Sequence, residues 1–326
     1  MISENDARQV LTDEQSIKAF DDIVYQRILG ASKHINMISD MIESIALEGR
    51  RNNLSVNSVI EKILTISQYF IETRGSASQA ISNAINIMIR NIDEARDLDI
   101  EEAAKFIIQK KNDYLNQYQE AVNKVVEYGI KTASSMKTIM VFDYSSTVNK
   151  LLQNLKNENG DYTIIIPESR VIDGGYPFVS TCHEAGHKIK FIPDSAIMYF
   201  LKDCDGAFFG AETFHPDGTA FNTTGSDMVG LVCKEFNIPL YVLTPMMKLD
   251  MRAIYGYEKK LKINNLEDTL TSNWNLVEKS NIDFLCPELI GVESKYITAI
   301  ITEKGIIPAN QLIETSNRFH SSLKGE

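Results

Sequence analysis

The sequence predicts an α/β protein: an all-helical N-terminal domain over residues 1–130, then a domain over residues 131–326 built on a doubly wound, mainly parallel sheet. Three observations predict it. Apolar residues recur at helical spacing through the first part, short β-rich runs alternate with helical segments through the second, and the pattern changes near residue 130.

In the first part, Val56, Val59, Ile60, Ile63, Leu64 and Ile71 line one helix face, and Ile81, Ala84, Ile85, Met88 and Ile92 line another. A longer amphipathic stretch carries Phe106, Ile107, Tyr114, Tyr118, Val122, Val125 and Val126. In the second part, strands are expected over TIMVF (138–142), YTIIIPE (162–168), KIKFIPD (188–194), GAFFGAE (206–212) and IPLYVL (238–243). Helices are expected between them, over SSTVNKLLQNLKN (145–157), YPFVSTCHEAG (176–186), SAIMYFLKD (195–203) and TGSDMVGLVCKEF (224–236).

Composition narrows the function. The 326 residues are 44% hydrophobic and 24% charged, with a formal net charge of -11, which argues against a nucleic-acid partner. No apolar run approaches the roughly 20 residues of a membrane helix. The opening MISENDARQV has no cationic or apolar region of a signal peptide. The four cysteines, Cys182, Cys204, Cys233 and Cys286, contain no C-x-x-C pair and read as reduced thiols. The expectation is a cytoplasmic chain with neither membrane nor nucleic-acid partner.

One motif invites a metal reading. His183-Glu184-Ala185-Gly186-His187 matches H-E-x-x-H, whose two histidines bind zinc only from one continuous helix. Gly186 is a helix stop, and KIKFIPD behind it alternates like a strand, so the two imidazoles should diverge. No metal and no other cofactor is expected.

The chemistry points instead to the carboxyl ends of the strands, where open α/β sheets bind ligands. Asp143, Tyr144, Ser145, Ser146 and Thr147 follow the first strand; Glu168, Ser169 and Arg170 the second; Asp194 and Ser195 the third; Glu212 the fourth; Thr244 and Lys248 the fifth. Asp143, Asp194 and Glu212 suit general acid–base roles, and Arg170 and Lys248 suit a phosphate. Asp194, Ser195 and Ser145 equally suit helix N-caps, whereas Arg170 and Glu212 stand away from cap positions. Gly218 to Ser226 reads as a Gly- and Thr-rich turn into a helix, a natural anion cradle.

Several blocks then resemble one family. GAETFHPDGTAFNTTGSDMVGLVCKEFNIPLYVL, PESRVIDGG, IPDSAIMYFL and CPELIGVESKYITAIITEKGIIP are similar, in order, to motifs of its C-terminal half. ILGASKHI (28–35) resembles its R-G-A phosphate loop and ETRGSASQAISNAI (72–85) its T-R-P-T-A segment. The family unites the alpha, beta and delta regulatory subunits of eukaryotic initiation factor 2B with methylthioribose-1-phosphate isomerase and ribose-1,5-bisphosphate isomerase. The resemblance implies a Rossmann-like C-terminal domain and a homodimer or higher homo-oligomer.

The isomerase members use a cysteine after the first sheet strand and an aspartate at the G-A-D strand end. Those positions hold Asp143 and Glu212 here. The lysine of N-K is Thr223, the arginine of R-G-A is Leu29 with Arg27 offset from it, and the aspartate of the closing motif is Ile290. Gly30, Ala31, Arg74, Ser145, Arg170, Asn222, Gly225 and Lys248 are retained. The resemblance therefore implies that Gly30, Ala31, Ser32, Arg74, Ser145, Ser146, Arg170, Asn222, Thr223 and Lys248 bind a phosphorylated small molecule. Asp143 and Glu212 would replace the proton-transfer pair. Two readings follow: an aldose–ketose isomerase of a phosphorylated or nucleoside-derived sugar, or a non-catalytic regulatory subunit that binds a sugar phosphate or nucleotide as a sensor.

Overall fold

The computed structural model describes residues 2–25, 27–28, 30–155, 162–275 and 278–324. Two compact units divide the chain, residues 1–120 with 320–326 and residues 121–319.

The first unit is helical: α1 (Glu4–Gln9), α2 (Glu14–Val24), α3 (Ala31–Arg51), α4 (Val56–Ala77), α5 (Gln79–Ile89) and the first part of α6 (Ile100–Ala133). Side-chain caps start several of them. Ser3 accepts from Asp6 N, Asp13 from Ser16 N and Ser55 from Ser58 N, each satisfying an amide that has no partner within the helix. The apolar faces expected from spacing are buried: Val59, Ile60 and Ile63 on α4, Ile81, Ala84, Ile85 and Met88 on α5. The division between the units falls inside α6, because the helix runs on to Ala133 past the end of the compact unit. The composition change at 130 instead marks the start of the β-rich run.

The second unit continues with β1 (Thr138–Val141), α7 (Ser146–Asn154), β2 (Thr163–Pro167), α8 (Phe178–Glu184), β3 (Lys188–Ile192), α9 (Ile197–Leu201) and β4 (Gly206–Gly210). After these come β5 (Thr213–Phe214), β6 (Ala220–Thr223), α10 (Ser226–Phe236), β7 (Leu240–Leu243), β8 (Ile263–Asn265), α11 (Glu267–Thr271), β9 (Leu285–Pro287) and β10 (Leu289–Val292). The hairpin β11 (Ala299–Thr302) and β12 (Gly305–Pro308) precedes the last helix, α12 (Ile313–Lys324).

The main sheet has seven strands in the order β12-β11-β7-β4-β1-β2-β3. All its pairs are parallel except β11 with β12. Central strands are apolar on both sides, as β4 shows by being buried at every residue, since helices cover both faces. One buried cluster gathers Met140, Phe209, Val229 and Val242, the other Val141, Leu151, Ile164 and Phe208. Edge strand β3 exposes Lys188 and Lys190, a charge pattern that discourages pairing with another chain.

The five expected strands are β1, β2, β3, β4 and β7. Beyond them, β11 and β12 extend the sheet, and β6 stands between β5 and β10 in a separate three-stranded antiparallel sheet. Residues Gly218 to Ser226 are thus not one long turn. Ala220–Thr223 is a central strand with Ala220, Asn222 and Thr223 buried, and the turn is confined to Thr224 and Gly225. Among the described residues, no helix is long and apolar enough to cross a membrane.

Candidate functional site

In the sheet, β1, β2 and β3 run outward to one side and β4, β7 and β11 to the other, so the topological switch point lies between β1 and β4. Doubly wound sheets bind ligands just beyond the carboxyl ends of the strands at that point. Asp143 follows β1 and Glu212 follows β4. The two strands are in register with Val141 opposite Phe208, and Phe142 N donates to Phe208 O at 3.2 Å. Ser145 sits so close to Gly210 that a Cβ on the glycine would lie 2.3 Å from Ser145 Oγ.

Asp143 is 4% exposed and adopts φ +59, a left-handed conformation that costs a non-glycine residue energy. Its carboxylate accepts hydrogen bonds from Ser169 Oγ at 3.0 Å and from Thr223 Oγ1 at 2.7 Å. Burial pushes its pKa up, against the opposing hydrogen bonds of Thr223, Ser169 and the Tyr144 amide, and nearby Asp194 adds to the rise. A carboxyl held this way is biased toward its neutral, proton-donating form. Gly174 packs on it: an added Cβ would lie 1.8 Å from Asp143 Oδ1.

Strand β6 links the two acidic residues. Glu212 N donates to Phe221 O at 2.9 Å, and two residues further on Thr223 bonds Asp143. Glu212 is half-buried, and its carboxylate acts electrostatically on Lys259. Asn222 Nδ2 donates to Ser226 Oγ at 3.0 Å, and Ser226 Oγ to Thr223 O at 2.7 Å, which fixes the start of α10. Ile290 pairs directly with Asn222 across β10 and β6.

The remaining expected residues differ in what they do. Ser145 is the N-cap of α7, accepting from Val148 N, and Ser146 is exposed on its first turn. Arg170 is bonded to Glu168 Oε2 at 3.4 Å and Thr269 O at 3.3 Å, with its side chain 43% exposed. Lys248 Nζ donates to Ala211 O at 2.7 Å, so it braces the backbone just before Glu212. Asp194 is not a helix cap: its two carboxylate oxygens accept from Ser169 N and Arg170 N, stapling the loop that carries Ser169 to Asp143.

In the helical unit, Gly30 precedes α3 with φ +103, and no side chain caps the helix there. Ala31 is buried and Ser32 exposed. Arg74 donates through one terminal nitrogen to Ile23 O at 2.8 Å, while its buried Nε has no partner among the described residues. Burial lowers its pKa. Leu29 lies outside the described residues. Arg27 is engaged with Asp22 at 3.3 Å.

His183 is on α8, which ends at Glu184, and Gly186 has φ +81. His187 stands beyond that stop with its Nε2 2.8 Å from Leu152 O. The H-E-x-x-H residues therefore do not share a helix face. Burial pushes the Cys182 thiol up to about 12, so it offers no thiolate.

Ser169, Gly174 and His215, inside blocks that resemble the family but not singled out there as site residues, and Asp250 and Lys259, outside any such block, belong to the neighbourhood of the acidic pair. Asp250, fully buried, is gripped by Arg252 through bonds of 2.8 and 2.7 Å. Thr213 Oγ1, His215 Nε2 and Thr244 Oγ1 are buried with no hydrogen-bond partner among the described residues. Such groups cost about 1–3 kcal/mol each when left unsatisfied. A cavity of about 350 Å³ lined by Cys233, Lys234, Pro239, Lys295 and Thr298 opens at the amino ends of β7 and β11. It is at the wrong edge of the sheet to serve Asp143 and Glu212.

Comparison with known proteins identifies the family and the fold. The sequence pattern of the "Initiation factor 2 subunit family" matches residues 32–309. A ribose 1,5-bisphosphate isomerase of Archaeoglobus fulgidus is 24% identical over 295 residues, covering 90% of each chain. A "putative translation initiation factor eIF-2B subunit 2-like" protein of Pyrococcus furiosus is 25% identical over 294 residues, covering 90% of this chain and 96% of its own. The crystal structure of 5-methylthioribose 1-phosphate isomerase from Pyrococcus horikoshii OT3 shares the fold, with TM-score 0.73 and 17% identity over 98% of this chain and 87% of its own.

Proposed function

Because the chain belongs to the initiation factor 2 subunit family, we propose that it isomerises a sugar 1-phosphate, aldose to ketose, with Asp143 and Glu212 as the proton-transfer pair. The observation that supports this reading is that Asp143 and Glu212 follow adjacent strands at the switch point of the sheet, with β6 hydrogen-bonded to the Glu212 amide and to the Asp143 carboxylate. The names of the relatives narrow the substrate class, since a ribose 1,5-bisphosphate and a methylthioribose 1-phosphate both carry phosphate on C1 of a five-carbon sugar.

The buried Asp143 acts as the acid. It gives a proton to the ring oxygen as the bond from that oxygen to C1 opens. Glu212, as carboxylate, takes the proton from C2, and an enol phosphate forms with a C1–C2 double bond. C1 then receives a proton and the C2 hydroxyl loses one, leaving a ketose 1-phosphate. Each carboxyl group ends in its starting form, and no electron leaves the substrate, so the chemistry is acid–base throughout. Arg170, Lys248, Asn222, Thr223, Ser145 and Ser146 are proposed to orient substrate or the pair. Gly30, Ala31, Ser32 and Arg74 are proposed as phosphate ligands, supported by the uncapped start of α3 and the partnerless Arg74 Nε. A homodimer or higher homo-oligomer is part of the proposal, to be read by light scattering.

Incubation with a panel of pentose 1-phosphates, followed by NMR of the products, tests the reading. Ketose 1-phosphate should form with the natural chain and not with Asp143→Asn or Glu212→Gln. The similarity to the initiation-factor-like protein and the replacement of the expected cysteine by Asp143 favour a second reading, a regulatory subunit that binds the sugar phosphate without turnover. Thermal stabilisation by the same compounds without any ketose would support it.

A further inference from the structure

Asp143 is held at both carboxylate oxygens by hydroxyls that arrive from different elements. Thr223 Oγ1 donates to Oδ2 at 2.7 Å from β6, and Ser169 Oγ donates to Oδ1 at 3.0 Å from the loop after β2. Between them the two donors fix the plane of the carboxyl group. Thr223 stands on a strand that pairs with β10 at that residue. Ser169 has no strand beneath it. β2 ends at Pro167, and Ser169 is buried at φ +52, in the left-handed region that a residue with a Cβ adopts at a cost.

Support for that conformation comes from the neighbouring strand. β3 pairs with β2 as far as Ile192 opposite Pro167, and Glu168 N donates to Ile192 O at 2.8 Å. Pro193 continues extended, at φ -68 and ψ 150, and brings Asp194 alongside the turn that Ser169 begins. One Asp194 oxygen accepts from Ser169 N at 2.9 Å and the other from Arg170 N at 2.8 Å. Successive amides turned to one side make an anion-binding concavity, and here the anion is the chain's own Asp194. From this anchor the loop folds back. Ser169 O accepts from Ile172 N at 3.2 Å and Gly174 N at 3.3 Å, and Gly174 packs on Asp143.

Resting on the isomerase reading, we infer that Asp194 is a positioning residue for the acid Asp143, acting through Ser169: its carboxylate locks two consecutive amides and so holds the Ser169 hydroxyl on Asp143 Oδ1. The path is a chain of hydrogen bonds, from Asp194 to the Ser169 amide and from the Ser169 hydroxyl to Asp143. With its plane fixed from both sides, Asp143 presents its proton in one direction, as an acid must to meet the ring oxygen. Burial raises the Asp143 pKa, and the Asp194 charge adds to the rise. The carboxylate that seats the loop thus also favours the proton-bearing form of the acid.

The test uses the full chain with Asp194→Asn, Ser169→Ala and the two combined. Asparagine keeps the shape of Asp194 but has one acceptor oxygen in place of two, and its amide nitrogen would face an N–H donor. Asp194→Asn should lower kcat on a pentose 1-phosphate by about tenfold or more, with a smaller change in KM. Ser169→Ala should do the same. The double variant should be no slower than the slower single one, because both changes break one path. A crystal structure of Asp194→Asn should show the Ser169 hydroxyl moved off Asp143. An active natural chain whose Asp194→Asn variant keeps kcat, or whose two losses multiply, overturns this inference alone. So does full kcat in Ser169→Ala, a change that leaves the Asp194 bonds in place. A natural chain without turnover overturns the isomerase reading. The crystal structure then decides whether Asp194 seats Ser169, and a hydroxyl still bonded to Asp143 in Asp194→Asn overturns that as well.

Discussion

Thr223 Oγ1 donates a 2.7 Å hydrogen bond to Asp143 Oδ2, tying strand β6 to the end of β1. The bond favours the ionised carboxylate, against the burial that favours the neutral acid. Thr223→Val keeps the shape and removes the donor. The Asp143 titration should move to higher pH, and the alkaline fall of kcat, which reports loss of the acid's proton, should move with it. The stability cost should be about 1–3 kcal/mol at pH values where Asp143 is ionised, measured by urea unfolding.

Asp143 also makes stability depend on pH. Its pKa is raised in the folded chain above the ordinary value of 3.8, so the folded state binds the proton more tightly than the unfolded one. The stability this supplies is fully present below the ordinary carboxylate pKa and is lost as pH rises through the raised one. Asp143→Asn should abolish that decline. Urea midpoints of the two chains, compared from pH 4 upward, should therefore diverge in favour of the variant.

Gly174→Ala tests the packing that holds Asp143. A Cβ there would come within 1.8 Å of Asp143 Oδ1, so the carboxyl must swing away from Ser169. Overpacking of this kind costs about 1–3 kcal/mol, visible as a lower Tm. The loss of kcat should be larger than the loss of stability explains, because the acid is displaced.

Much of this site was legible in the sequence, and the parts that were not have physical reasons. Strands β1, β2, β3, β4 and β7 announce themselves as β-rich runs between helical segments, and Asp143 and Glu212 stand where those runs end. Ser169 and Gly174 lie beside Asp143 on a loop that Asp194 staples to the end of β3, a link between residues 24 and 25 positions apart that no local pattern encodes. Lys259 lies in an irregular segment, and only the fold carries it to Phe221. Strand β6 was hidden by its turn-forming composition: Asn222 and Thr223 look like loop residues, yet they pair with Ile290 and Leu289 of β10, while Ala220 and Phe221 of the same strand pair with β5 as well. The β11–β12 hairpin carried a usable signal, two β-branched runs separated by Glu303 and Lys304 before Gly305 at φ +127.

Arg74 provides a test in the helical unit by itself. Its terminal nitrogen is engaged with Ile23 O, and its buried Nε has no partner among the described residues. Arg74→Gln should weaken binding of a sugar phosphate by about tenfold or more, equivalent to about 1.4 kcal/mol, with unchanged far-UV circular dichroism. Isothermal titration with a pentose 1-phosphate gives the comparison.

The most direct measurement is isomerisation of a pentose 1-phosphate in deuterium oxide, with NMR of the ketose at C1. A carboxylate pair that moves the proton by way of Glu212 predicts solvent deuterium at C1, lost together with product in Asp143→Asn and Glu212→Gln. Ketose formed with no solvent deuterium through many turnovers, or formed equally well by both variants, would contradict it.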